Sequence, residues 1–277
     1  MSIASNGSSP NGAKSNVQQL DERGFVLIRN LLSATEVETF RSQLLQSAGV
    51  QEGKIDPNVR WCLPDGPNKH SEWWPLITHP RLVQVMHELI GPDVRYLRTA
   101  DLQVNNNRSV WHRDNTCRQF GIGPDFDESR VKHQVYRVGV YLNSYAESRS
   151  SLGLIPGSHR RESAFTRFEL HWWERARVVM RKPYLLPHLL SVRPVWLKFE
   201  AGDVLIFDSR VLHTPSHIRG PRLAVYLSYG ANNQHSRNFW KYYVRDRTNL
   251  GYEELKPDLK QLLIQRGMLM EDDYPAV

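Results

Sequence analysis

Apolar residues recur at helical spacing in the first third of the chain and at alternate positions through much of the middle. Gly24-Phe-Val-Leu-Ile-Arg29 reads as a short strand. Ser33-Ala-Thr-Glu36 then carries a capping-box signature, and Val37, Phe40, Leu44 and Leu45 place one apolar face on the helix that follows, with Gly49 as its stop. Pro80 suits a helix N-terminus and opens a second such period at Leu82, Val85, Met86, Leu89 and Ile90, ended by Gly91-Pro92. Between the two, residues 50–75 read as irregular, broken by Pro57, Pro64, Gly66 and Pro67.

From Val94 the period is two. Asp101, Gln103 and Asn105 fall on one face and Leu102 and Val104 on the other, the pattern of a strand with one wet side. Tyr136-Arg-Val-Gly-Val-Tyr-Leu142, Ser151 to His159, Pro194 to Phe199, Val204 to Phe207 and Arg222 to Tyr229 follow as further strands, with Gly202-Asp203 a turn and residues 115–133 a loop. Residues 160–193 break the β pattern and read as a helical or irregular insertion; a last helix is expected over Glu253 to Arg266 despite Pro257. Helices, then many short strands, then a helical tail describe a mainly β fold with flanking helices, a double-stranded β-helix or jelly roll of cupin-like type. Residues 1–17, rich in Ser, Asn and Gly, read as a flexible leader, with order beginning near Leu20, and residues 18–277 as a single jelly-roll domain.

Composition narrows the class. The chain has 277 residues, 40% of them hydrophobic, enough for a sizeable core. No apolar run is long enough for a membrane span and the first residues lack the pattern of a secretory signal. Two cysteines, Cys62 and Cys117, make no disulfide framework, so a reducing, cytoplasmic setting is the simplest expectation. The net charge of +7 raises the question of nucleic acid, but the basic residues are spread along the chain and no nucleic-acid motif is present. A small-molecule substrate is therefore expected, with no nucleic acid and no membrane. The 160–193 stretch holds eight basic residues against three acids; it lies between the two halves of the metal motif, where it could cover a mouth and favour an anionic substrate, or simply be a solvated helical face.

The candidate chemistry begins at Trp-His112-Arg-Asp114. Residues i and i+2 of an extended strand share a side, so His112 and Asp114 could reach one metal while Arg113 faces away. His213, in Asp-Ser-Arg-Val-Leu-His-Thr-Pro, is the third candidate. Two imidazoles and a carboxylate are the facial ligand set of non-haem Fe(II) oxygenases, which leaves positions open for O2 and a cosubstrate. The same three groups could hold Zn2+ in a hydrolase, or survive in a jelly-roll binding protein that has lost turnover.

With these pieces in order the chain resembles the phytanoyl-CoA dioxygenase family of Fe(II)- and 2-oxoglutarate-dependent oxygenases, over roughly residues 18–230. The likeness rests on Gly24-Phe-Val-Leu-Ile-Arg-Asn-Leu-Leu-Ser, Trp-His112-Arg-Asp114, Tyr-Arg-Val-Gly-Val-Tyr-Leu, Ile-Pro-Gly-Ser-His159 and Gly202-Asp-Val-Leu-Ile-Phe-Asp-Ser-Arg-Val-Leu-His213. It implies His112, Asp114 and His213 as iron ligands and Arg222 as the arginine on the far carboxylate of 2-oxoglutarate, with Arg219 its rival. It further implies Tyr141, Asn105 and Thr214 as contacts of the cosubstrate. The expected reaction is hydroxylation with release of succinate and CO2; desaturation, cyclisation and oxidative cleavage are outcomes of the same ligand set in relatives. Asp114 stands where related halogenases have a small residue, which disfavours halogenation. The chain departs from the family at Ser151-Leu-Gly153 and at Pro215-Ser216, which bears on the secondary contacts. His159 is expected to be structural, and His133 and Tyr136 are candidates to face substrate.

Overall fold

The computed structural model describes residues 14–56, 58–105, 110–179 and 192–270. In chain order the elements are α1 (Asn16–Arg23), β1 (Phe25–Ile28), α2 (Ala34–Ser47), β2 (Trp61–Pro64), α3 (Gly66–Lys69), α4 (Trp74–Ile77), α5 (Pro80–Ile90), β3 (Val94–Tyr96) and β4 (Asp101–Val104). There follow β5 (Val135–Tyr141), α6 (Tyr145–Ser148), β6 (Leu152–Leu154), α7 (Ala164–Val179), β7 (Val195–Leu197), β8 (Val204–Asp208), β9 (His213–Pro215), β10 (Leu223–Ala231), α8 (Gln234–Trp240) and α9 (Pro257–Gln265). No helix among the described residues is long and apolar enough to cross a membrane.

Two antiparallel sheets make the β layer. The larger runs β1-β8-β5-β10-β4-β2, with β3 also paired to β10; the smaller runs β7-β6-β9. Neither closes into a barrel. Alternation along the central strands sorts two cores. Val138, Val140, Ile206, Val225 and Leu227 point outward and meet α2, α5 and α9 through Phe40, Leu44, Leu82, Met86 and Leu263. Phe25, Tyr141, Leu205, Phe207, Ala224 and Tyr226 point inward and pack against Leu152, Leu154 and Phe199 around the smaller sheet. The inner core is the smaller of the two, and its parity also places Asp101, Gln103, Arg137, Arg222 and Ser228 on the inner face.

Sequence expectation and structure differ at identifiable points. Ser15 caps α1 with a full capping box, so order starts before Leu20; residues 1–13 of the expected leader lie outside the described residues. The 50–75 stretch holds β2, paired with β4 from Trp61↔Val104 to Pro64↔Asp101, which the prolines and aromatics masked. Within 160–193 the helix α7 occupies Ala164–Val179, while 180–191 lie outside the described residues. Near the C-terminus Pro257 opens α9 rather than interrupting it, since a first-turn residue needs no intrahelical N–H bond. The caps of α2 and α5 are as the sequence indicates: Ser33 with Glu36, and Pro80 at the start.

Candidate metal and cosubstrate site

The segment 110–114 does not form a regular strand. It meets the start of β9 through an isolated antiparallel bridge, His112↔His213. Each histidine's backbone N–H donates to the other's carbonyl at 3.0 Å. A directly paired couple of residues projects its side chains to one side of the ladder, and the two imidazole rings lie 4.2 Å apart between centroids. Asp114 is tied next door, its N–H donating to Ser209 O at 2.8 Å and its carbonyl accepting from the Tyr243 hydroxyl at 2.8 Å.

The two rings are held in the same way. His112 Nδ1 lies 2.8 Å from Val110 O and His213 Nδ1 lies 2.9 Å from Val211 O. A carbonyl oxygen only accepts, so both Nδ1 atoms carry a proton, and in the neutral ring the lone pair is left on Nε2. Those Nε2 atoms face the Asp114 carboxylate, at 3.6 Å from its Oδ1 for His112 and 3.8 Å from its Oδ2 for His213. All three ligand atoms fall within 4.8 Å of one another, close enough to share one ion. Burial lowers the His213 pKa to about 4, with the His112 charge adding to it, so His213 is neutral near pH 7. Burial raises the Asp114 carboxyl, but the charges of His213, Arg137 and His112 outweigh it and hold the pKa at about 2. An ionised Asp114 and a neutral His213 are states that a divalent cation requires.

Arg113 faces the other way, as alternation predicts. It is 2% exposed, donates from Nε to Arg210 O at 2.9 Å and pairs with Glu162 at 2.8 Å, bracing the turn that leads into His213. Arg222 sits at the head of β10 on the inner face and is 6% exposed, whereas Arg219 is exposed. Near it Tyr141 stacks on Phe199 with ring centroids 3.5 Å apart. The buried Tyr141 hydroxyl has no hydrogen-bond partner of ordinary geometry among the described residues, and it shares a small cavity with Arg222, Leu152 and Phe199.

The profile of the phytanoyl-CoA dioxygenase family matches residues 20–222. The chain belongs to the phytanoyl-CoA dioxygenase family. Among solved structures it is similar to iron-bound HygX from Streptomyces hygroscopicus, at 18% identity and a TM-score of 0.58 over 80% of this chain and 88% of that one. It is also similar to the non-haem alpha-ketoglutarate-dependent carbocyclase SnoK of nogalamycin biosynthesis, at 22% identity and a TM-score of 0.55 over 80% and 85% of the two chains. The epimerase SnoN from the same biosynthesis was crystallised with Fe3+, alpha ketoglutarate and nogalamycin RO, and matches at 18% identity with a TM-score of 0.56 over 78% and 82%. At these identities the likeness establishes the fold. No curated protein sequence matches this chain.

Members of this family use Fe(II) and 2-oxoglutarate, and the residues here fit both. The donor set is two nitrogens and one carboxylate with the remaining directions unclaimed by a fourth ligand among the described residues. For the cosubstrate, Arg222 brings a buried cation and Tyr141 a buried hydroxyl to one small inner cavity.

Two contacts that the family resemblance implies are not where it put them. Asn105 has φ +52, which turns it off the strand. Its Nδ2 donates to Asp56 O and Val59 O at 2.9 and 3.0 Å, and its Oδ1 accepts from Arg222 N at 2.8 Å, so it fixes the backbone of Arg222 rather than facing the cosubstrate. Thr214 lies between His213 and Pro215 on β9 and pairs with Gly153, so its side chain points away from the face that carries His213. His133 and Tyr136 are also off the inner face. His133 is 1% exposed beside Asp208, and Tyr136 belongs to the outer core. His159 is structural as expected, its Nε2 donating to Asp21 O at 3.1 Å. The sequence reading missed Tyr243, which comes from a π-helical turn at Lys241–Asp246, and Arg137, whose Nε lies 3.3 Å from Asp114 Oδ2. Arg137 had a visible signal: a lone charge inside an apolar β run.

Proposed function

We propose that this chain is a dioxygenase that hydroxylates a small-molecule metabolite with release of succinate and CO2, using His112, Asp114 and His213 as its iron ligands. The observation that carries the reading is the matched setting of the two histidines: each Nδ1 is committed to a backbone carbonyl, and both Nε2 atoms converge with Asp114 on one side of a backbone bridge. Iron, when bound with 2-oxoglutarate, supplies the activation of O2. The chain's own part is binding and orientation. The backbone fixes both tautomers, Asp114 stays ionised, and Phe207, 4.8 Å from the His213 ring, excludes water from one side. Arg222 is assigned the distal carboxylate of 2-oxoglutarate, a task suited to a planar, bidentate guanidinium, with the Tyr141 hydroxyl beside it.

That HygX and SnoN were crystallised with hygromycin B and nogalamycin RO supports a small organic substrate rather than a macromolecule. Arg118, exposed and within the field of Asp114, suits an anionic group on that substrate. Residues 18–277 are read as one oxygenase domain with 160–193 inserted; Leu170 of α7 packs near Trp111, Ile155 and Leu212, beside the His112 segment. A cytoplasmic setting fits two cysteines that form no disulfide.

The test is anaerobic addition of Fe(II) and then 2-oxoglutarate to metal-free protein. A weak visible charge-transfer band should appear only with both and be absent in Asp114→Ala. No band, with the protein folded and iron bound, would overturn the reading.

A further inference from the structure

We infer that Arg137 is a positioning residue for the metal carboxylate: it holds one oxygen of Asp114, leaves the other to the ion, and sets how strongly Asp114 donates. The inference rests on the assignment of His112, Asp114 and His213 as iron ligands.

Arg137 lies on the inner face of β5, a strand buried along its whole length, and is itself 6% exposed. A guanidinium in such a run is costly unless its N–H groups and charge are met. Four groups meet it. Nη1 donates to Thr99 O at 2.8 Å and to Ser228 Oγ at 2.6 Å. Nη2 donates to Asp101 Oδ2 at 3.3 Å. The fourth is Asp114, whose Oδ2 lies 3.3 Å from Nε in an ion pair that falls short of hydrogen-bond geometry. The first three contacts fix the guanidinium from the sheet, so it is Asp114 that must adapt to Arg137.

The two oxygens of Asp114 are therefore unequal. Each faces an imidazole, Oδ1 at 3.6 Å from His112 Nε2 and Oδ2 at 3.8 Å from His213 Nε2, but Oδ2 also lies 3.3 Å from the fixed Arg137 Nε. With Oδ2 facing that cation, Asp114 would hold an ion through Oδ1. Coordination through both would use one of the positions that cosubstrate and O2 need. The guanidinium also withdraws electron density from the carboxylate, and Asp101 on its far side limits how much, because one cation is shared between two anions.

The signs follow. Removing Arg137 makes Asp114 a freer and stronger donor; removing the charge of Asp101 leaves Arg137 undivided and makes Asp114 a weaker one. Iron made richer in electrons transfers charge to 2-oxoglutarate at lower energy, so the visible band moves to longer wavelength in the first case and to shorter in the second.

The experiment compares wild type, Arg137→Gln, Arg137→Lys and Asp101→Asn, each checked for folding by circular dichroism. Co(II) affinity is measured first by calorimetry without cosubstrate, then the anaerobic Fe(II)/2-oxoglutarate band. Arg137→Gln should bind Co(II) more tightly, because a buried cation beside the carboxylate is gone and Asp114 donates more strongly, and shift the band to longer wavelength. Arg137→Lys should undo part of both changes, and Asp101→Asn should shift the band to shorter wavelength. A folded Arg137→Gln with wild-type affinity and an unmoved band would overturn the inference and leave the ligand assignment standing. Wild type that binds no Co(II) would instead remove the ligand assignment, and this inference with it. Should Arg137→Gln not fold, an unmoved band in Asp101→Asn, whose side chain is 20% exposed, overturns the inference on its own.

Discussion

At the scale of single residues, Arg222 and Arg219 separate cleanly. Both lie shortly after His213, but only Arg222 is buried on the inner face, at the head of β10. Arg222→Ala should raise the 2-oxoglutarate requirement by roughly 30-fold or more, since truncating one partner of a buried charge pair costs about 2 kcal/mol at the least. Arg219→Ala should leave that requirement unchanged, as steady-state kinetics against 2-oxoglutarate would show. The same scale explains what the sequence hid. Asn105 has the residue type of a ligand contact, but a positive φ cannot be read from alternation, and it swings the side chain onto the backbone of residues 56 and 59. Thr214 follows a metal-ligand candidate, and on a strand that adjacency is what sends it to the opposite face. Arg137 escaped notice because its partners come from three separate stretches, at Thr99 and Asp101, at Asp114 and at Ser228. Only folding collects them.

Elements tell a different story, because most were legible. Capping and helical period act over a few residues, so α2 and α5 could be placed from Ser33, Glu36, Pro80 and Gly91. What sequence did not reveal is that the two caps are joined. His79 Nε2 donates to Glu36 Oε1 at 3.0 Å, while its Nδ1 accepts from Leu82 N at the start of α5. The backbone N–H of Ser33, the His79 ring and the Ser33 hydroxyl hold the Glu36 pKa at about 2, against an ordinary 4.5. A carboxyl depressed in the folded state stabilises above its unfolded pKa, and that stability is lost as pH falls from 4.5 towards 2. Glu36→Gln should flatten this part of the acid-denaturation profile, and Ser33→Ala should cost about 1 kcal/mol in urea unfolding at neutral pH. Of the three-residue strands, β6 and β7 fall inside longer runs that the sequence marks as strands, while β9 was harder to see, since so short a run offers a single alternation and takes its identity from its neighbours.

Over the whole molecule, the two faces of the large sheet divide stability from chemistry. The outer face meets the helices in the larger core, and the inner face carries Arg137, Arg222, Tyr141 and Phe207 towards the site. Leu227→Ala, in the fully buried outer core, should cost about 2–5 kcal/mol of unfolding free energy with the metal affinity of the folded protein unchanged. Phe207→Ala should cost a similar ~3–5 kcal/mol and also weaken metal binding, because its ring packs edge-on against His213. Chemical unfolding paired with Co(II) titration would separate the two. Alternation within β4 foretold that Asp101 and Gln103 share a face; strand order and register are long-range facts that local pattern does not contain.

The bridge between His112 and His213 joins points roughly a hundred residues apart in the chain. Closing so long a loop is entropically expensive, yet the expense rises only slowly with length. An ion gripping both imidazoles acts as a clasp on that loop, and because the open chain lacks the grip, mass action turns ion concentration into resistance to unfolding. With iron at the proposed ligands, iron supply would thereby be coupled to resistance to unfolding: a chain starved of metal would be the one more readily opened.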